Sequence, residues 1–174
     1  EDVYKRQPLS RFYIKNLSGW INLRELIKLR EQPSYLKEAI RFFQEKWGNT
    51  DSNPVYDDCL KHSLESNKKI PQWYLIVDEG KIIAGCGLIS NDFISRMDLY
   101  PWLCALYVEE KFRNQGLAGL LIEAVKEDCR TFDIDKLYLA TDFADFYEHF
   151  DFHYLADGYH PWGEKSRIYE GNIN

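Results

Sequence analysis

Hydrophobic and polar positions change rhythm several times along the chain. Arg11–Lys15 alternates as a short strand does, whereas Ile21 to Arg30 and Tyr35 to Trp47 carry apolar residues at helical spacing. Pro33-Ser34 separates these two helical stretches. Ala39, Ile40, Phe43 and Trp47 share one face of the second, which Gly48-Asn49 can stop, and Pro54 to Glu65 reads as a weaker third helix. Gln72–Asp78 and Lys81–Ser90 are apolar runs joined by Glu79-Gly80, a tight-turn signal that predicts an antiparallel hairpin. Trp102–Val108 is the next strand. Leu117–Thr131 is a strongly amphipathic helix with Leu117, Leu120, Leu121, Ala124 and Val125 inward. Lys136–Thr141 reads as a buried strand, Phe143–Phe150 as a short helix, and Phe152–Tyr159 and Ser166–Glu170 as closing strands. Antiparallel strands giving way to a strand-helix-strand crossover imply an α/β (α+β) fold: a mixed, mostly antiparallel sheet covered by helices.

A length of 174 residues, 45% of them hydrophobic, suits one buried core and is short for two. Residues 8–174 are therefore expected to form a single domain, and Glu1–Gln7, which fit no element and lack an initiating Met, are read as a candidate non-native tail. The net charge of −6 argues against nucleic acid as a partner, since phosphate-backbone binders carry a basic excess. It is compatible with a cationic substrate such as a protonated amine. Cys59, Cys86, Cys104 and Cys129 are widely spaced, which points to reduced structural thiols rather than a zinc site or a disulfide framework. No apolar run reaches membrane-span length and no secretory signal opens the chain, so the expectation is a cytoplasmic protein with no membrane partner.

The most informative stretch is Arg113-Asn-Gln-Gly-Leu-Ala-Gly-Leu120, directly after the strand Trp102–Val108. A helix start leaves its first N–H groups without intrahelical partners and carries a partial positive charge, so a phosphate gains hydrogen bonds and a favourable dipole there. Gly116 lets backbone approach that phosphate closely, and the Arg113 guanidinium can grip a second oxygen.

With Val108-Glu-Glu-Lys-Phe-Arg113-Asn-Gln-Gly116-Leu-Ala118, the chain resembles the GNAT superfamily of acyl-CoA-dependent N-acyltransferases, whose signature is R/Q-x-x-G-x-G/A between a strand and a helix. The resemblance runs from about Gln72 to Tyr169. It implies a twisted sheet of six to seven strands whose central strands splay to form a CoA cleft, acetyl-CoA as co-substrate, and no metal. It further implies that backbone groups of Leu106, Tyr107 and Val108 pair with the pantetheine arm as an added strand. Backbone N–H groups of Asn114, Gln115, Gly116, Leu117, Ala118 and Gly119 would hold the pyrophosphate, with Arg113 alongside. In Thr141-Asp-Phe-Ala-Asp-Phe-Tyr147-Glu-His-Phe150-Asp-Phe152, Tyr147 matches the tyrosine that often protonates the CoA thiolate; a phenol of pKa about 10 is protonated at neutral pH. The chain departs from the family in three places. Asp151 replaces a Gly, Ala140 stands where some members place a Glu base, and an Asn often found before the Tyr helix is missing.

A base is needed because an alkylammonium of pKa about 10.4 does not attack. Asp98, Asp92, Asp142 and Glu109 are candidates near strand ends, and Asp98 is preferred because Asp98-Leu-Tyr-Pro-Trp102 resembles an entry into the central strand found in a subset of the family. His62, His149, His153 and His160 form no metal spacing. Tyr159, Trp162 and Tyr169 either line an acceptor pocket or pack the last strands. The implied activity is acetyl transfer to a small-molecule or peptide amine by a monomer or homodimer. The alternatives are a non-catalytic acyl-CoA sensor or partner-binding domain and, more weakly, a nucleotide-binding protein, which would lack a P-loop lysine.

Overall fold

The computed structural model describes residues 11–15 and 21–174; the tail expected at residues 1–7 lies outside the described residues. Its strands are β1 (Arg11–Lys15), β2 (Ile21–Lys28), β3 (Gln72–Asp78), β4 (Lys81–Ile89), β5 (Trp102–Val108), β6 (Lys136–Thr141), β7 (Phe152–Tyr159) and β8 (Lys165–Asn172). Its helices are α1 (Leu36–Trp47), α2 (Asn53–Glu65) and α3 (Leu117–Thr131). All eight strands lie in one sheet, in the order β1-β2-β3-β4-β5-β6-β8-β7, and only β5 and β6 run parallel.

Two expectations change. The helix expected over Ile21–Arg30 is instead β2, which raises the strand number from six or seven to eight. The cause is burial on both faces: Leu26 packs into the core under α3, while Ile27 and Leu29 pack into the core under α1 and α2, so the apolar spacing imitates a helix. The helix expected over Phe143–Phe150 shrinks to a 3-10 turn at Tyr147–Phe150. Ahead of it, the Thr141 hydroxyl accepts from the Phe143 N–H at 3.0 Å and Asp145 takes a positive φ of 64°, both of which break a helix.

Strand β5 carries the feature that shapes the cleft. Gly85 pairs with Tyr107 and Gly87 with Cys104, so Cys86 alone faces both Ala105 and Leu106. Ala105 is the bulged residue, at φ 51°, and its carbonyl accepts from the Trp47 indole N–H at 3.1 Å. The extra residue inverts the alternation: Leu103 lies in the α3-side core and Cys104 in the α1/α2-side core, yet Leu106 and Val108 return to the α3 side and Tyr107 to the other. On its far edge β5 meets β6 at a single pair, Trp102 opposite Tyr138, after which the two strands part.

Buried Arg24 on β2 ties this region together. Its Nε donates to Asp78 Oδ2 at 3.2 Å, its Nη1 donates to Gln115 Oε1 at 2.7 Å, and its guanidinium lies over the Phe112 ring at 5.2 Å. Asp78 Oδ1 is itself buried with no partner among the described residues, so the carboxylate depends on Arg24. Arg24→Met should therefore destabilise the fold by about 3 kcal/mol or more in urea denaturation, with most of that recovered on adding Asp78→Leu. A wild-type midpoint for the single variant would remove the anchoring role.

Candidate functional site

A 3-10 turn at Glu110–Phe112 leads from β5 to the start of α3. Asn114 and Gly116 both take positive φ, 59° and 76°, and Gly116 caps α3 with no side chain bonded to the helix start. The first helix-closing bond is Leu120 N–H to Gly116 O at 3.1 Å, so the N–H groups of Leu117, Ala118 and Gly119 have no acceptor among the described residues. No acidic residue occupies the first turn, and a Cβ built on Gly116 would meet nothing within 4 Å. The result is an open, electropositive helix end. Gln115 is steadied by Arg24, while exposed Arg113 donates from Nε to Val108 O at 3.1 Å and lays its guanidinium over the Tyr107 ring at 5.4 Å. Lys46 reaches the same ring at 5.2 Å and pairs with Glu109 at 2.7 Å, a bond that raises the lysine's pKa.

The parted strands β5 and β6 leave Leu106, Tyr107 and Val108 without a β6 partner, beside that helix end. Tyr147 sits half-buried nearby, its ring edge-on to Phe152 at 6.1 Å and to Phe146 at 4.9 Å. Phe150, in the same 3-10 turn, approaches the place a Gly119 Cβ would occupy to 3.1 Å, so a glycine there lets the tyrosine turn pack on the start of α3. Asp151 ends that turn at φ 61° and ψ 33°, the left-handed conformation expected of the glycine it replaces. Burial holds the Tyr147 phenol above its usual value, with Cys86 and Asp92 adding to the shift.

The carboxylates divide by environment. Asp98 is exposed and bidentate to Arg96, at 2.8 and 2.6 Å, and that bond lowers its pKa. Such a carboxylate is a poor proton acceptor. Glu109 is engaged by Lys46, and Asp142 is exposed. Asp92, half-buried, has neither hydrogen-bond nor ion-pair partner among the described residues, and burial pushes its carboxyl up to about 7. Burial also raises the Tyr56 phenol and the Cys104 thiol, and in both the Asp92 charge adds to the shift. The carboxylate thus stands within electrostatic reach of α2, β5 and the Tyr147 turn.

Ala140 carries no chemistry on β6, and His149 and His153 are exposed. His62 contacts Asp58, while His160 contacts Phe93 O and Ser166 Oγ and stacks on Trp162. Among the described residues no three His, Cys, Asp or Glu side chains gather as metal ligands, and all four cysteines are unbonded. Tyr169 is wholly buried, whereas Tyr159 and Trp162 are exposed. No helix among the described residues is long and apolar enough to cross a membrane.

Sequence reasoning missed Arg24 and Trp47. Arg24 was hidden by the helical reading of β2, and the only signal for Trp47 was its place at the end of α1, since a bond to a bulged carbonyl leaves no mark in spacing.

Comparison with known proteins places these features in a family. Residues 23–152, more than half of the chain, match the model of the acetyltransferase (GNAT) family. A putative GNAT acetyltransferase from Desulfovibrio desulfuricans superposes with a TM-score of 0.68 at 14% identity, covering 87% of this chain and 99% of that one. The ribosomal-protein-S18-alanine N-acetyltransferase of Escherichia coli gives 0.62 at 15%, covering 87% and 94%. An aminoglycoside 6'-N-acetyltransferase complexed with coenzyme A gives 0.64 at 14%, covering 86% and 97%. No curated protein sequence matches the chain. With a family match over its central 130-residue span and a sheet that parts beside an uncapped helix start, the chain belongs to the GNAT acetyltransferase family and is an acyltransferase acting by acetyl-CoA-dependent acyl transfer.

Proposed function

We propose that the protein moves an acetyl group from acetyl-CoA to a primary amine by direct attack in a ternary complex. The observation that carries this reading is the juxtaposition of the parted β5 edge, the open N-terminus of α3 and Tyr147. The residues present fit the co-substrate. An extended arm can take the backbone positions that β6 vacates along Leu106–Val108, and the free N–H groups of Leu117, Ala118 and Gly119 suit a pyrophosphate. Gly116 leaves that approach clear, and Asn114 and Gln115 shape the turn. The Arg113 Nη atoms are free to reach a phosphate oxygen while Nε holds Val108 O.

Bound acetyl-CoA supplies an activated acyl carbon with a thiolate leaving group. An N–H of the Leu106–Val108 strand serves as donor to the charge developing on the acyl oxygen, an interaction worth about 3 kcal/mol in comparable sites. Tyr147 holds its proton at Oη for the departing sulfur, and its raised pKa keeps that proton in place at neutral pH. The base moves from Asp98 to Asp92. Only the second carboxylate is free of a cation, and its pKa near 7 suits proton acceptance from an ammonium, directly or through water. The nitrogen acceptors in the names of the ribosomal-protein and aminoglycoside neighbours agree with an amine, taken here as a small molecule or peptide terminus.

Acetyl-CoA turnover across an amine panel, read as thiol release beside calorimetric CoA binding, tests the activity; binding without turnover would favour the sensor alternative. Tyr147→Phe should lower kcat by about ten- to a hundredfold with CoA affinity unchanged. Unaltered kcat would strip the tyrosine of its role. At saturating amine, kcat should rise with pH through an inflection near 7, because Asp92 accepts a proton only when ionised. Asp92→Asn should be slower and lack that inflection. Stability supplies a second reading of the same group: its raised pKa means that its stabilising contribution is full below about pH 4 and falls away as pH climbs to about 7. In Asp92→Asn that decline should be absent.

A further inference from the structure

At the opposite end of α3 lies an open cavity of about 310 Å³, within the size range of small-ligand sites. We propose that it is a binding site for a small multivalent anion, separate from the acetyl-CoA cleft. Lys28 at the end of β2, Arg30 in the turn just past it, Lys68 and Lys69 from the segment before β3, and Phe132 just past α3 line its walls. The helix is 15 residues long, which separates this cavity from the Gly116 end by roughly 22 Å.

Charge carries the argument. Arg30 donates from Nη1 to Lys68 O and from Nη2 to Pro71 O at 2.6 Å, both neutral carbonyls, and its Nε is buried with no acceptor. Among the described residues no carboxylate pairs with Arg30, Lys68 or Lys69. Burial lowers the Arg30 pKa, as expected of a desolvated cation lacking a counter-charge.

Two carboxylates also line the cavity, and neither cancels this field. Asp128 is already bound by Lys28 at 2.5 Å and by the Tyr74 hydroxyl at 2.7 Å. Glu31 is exposed at the rim. The helix end itself contributes little negative charge, because the carbonyls of Asp128, Cys129 and Arg130 accept from the N–H groups of Phe132, Ile134 and Asp133. Four cations against two carboxylates therefore leave a positive pole on a chain of net charge −6. Phe132 is an apolar wall with the Lys69 ammonium 5.2 Å from its ring centre, and it is the cationic part of the lining that suits a compact, charged ligand. A phosphate ester or a polycarboxylate has that chemistry.

Calorimetric titration of the full chain with inorganic pyrophosphate, and separately with citrate, at saturating CoA isolates this cavity from the α3 N-terminus. Saturable binding of at least one probe is expected; pyrophosphate alone would mark a phosphate ligand and citrate alone a polycarboxylate. Lys68 and Lys69 are exposed, so the double variant Lys68→Glu/Lys69→Glu keeps the fold and should weaken that binding by about tenfold or more while leaving CoA affinity intact. Absence of saturable binding by both probes, or wild-type affinity in the double variant, would overturn the site.

Discussion

The parting of β5 from β6 after one backbone pair is the constraint around which everything else is arranged. A sheet ordinarily zips, and a polar backbone group left buried and unmade costs about 1–3 kcal/mol. An open seam in the middle of an eight-stranded sheet therefore has to be hydrated or filled, and has to be held apart by something stiff. The bulge at Ala105 bends β5, the Trp47 indole fixes the bulged carbonyl, and the Tyr147–Phe150 turn packs on α3 rather than extending β6. The seam is thus maintained from both faces of the sheet, by α1 on one side and α3 on the other.

That two-sided support separates the tasks of the molecule. On the α3 face lie the helix start, Leu106 and Val108, to which the proposed function assigns the donor. On the α1/α2 face lie Tyr56, Tyr107 and Trp47. The Asp92 charge is felt by both Tyr56 and Tyr147, so in the proposed mechanism proton acceptance from one side and proton donation from the other would be coupled through a single desolvated carboxylate. Arg24 joins the two tasks mechanically, since one guanidinium contacts β3 through Asp78 and the α3 turn through Gln115.

Much of this was legible in the chain, and what was not has physical causes. The hairpin β3–β4, the helix α3 and the turn at Gly116 announce themselves through Glu79-Gly80, a strong apolar face and a strand-turn-helix pattern. Strand β2 did not, because a strand covered on both faces loses its period of two, and Leu23, Leu26 and Ile27 then fall at helical intervals. The preference for Asp98 in the sequence, against Asp92 in the proposed mechanism, has a different cause. Asp98 and Asp92 look alike in sequence, and only the folded chain puts Arg96 on one and leaves the other desolvated and alone. Asp151 shows the reverse case: a departure from the family pattern that the backbone absorbs without changing its path.

The bulge in β5 has one more consequence, for the ways in which this sequence can vary. Trp102–Val108 is apolar throughout, so nothing in residue type records that its two halves run in opposite phase. Replacing one apolar residue by another there leaves the phase alone. Straightening the bulge with every residue kept would exchange the surroundings of Leu106, Tyr107 and Val108 in one step, sending a tyrosine beneath α3 and two aliphatic side chains toward α1, whereas losing Ala105 would leave those three on their present faces and remove the carbonyl that Trp47 holds. The faces of these three residues are set by the bulge and by the Trp47 contact that holds it, a more stringent inheritance than the composition of the strand.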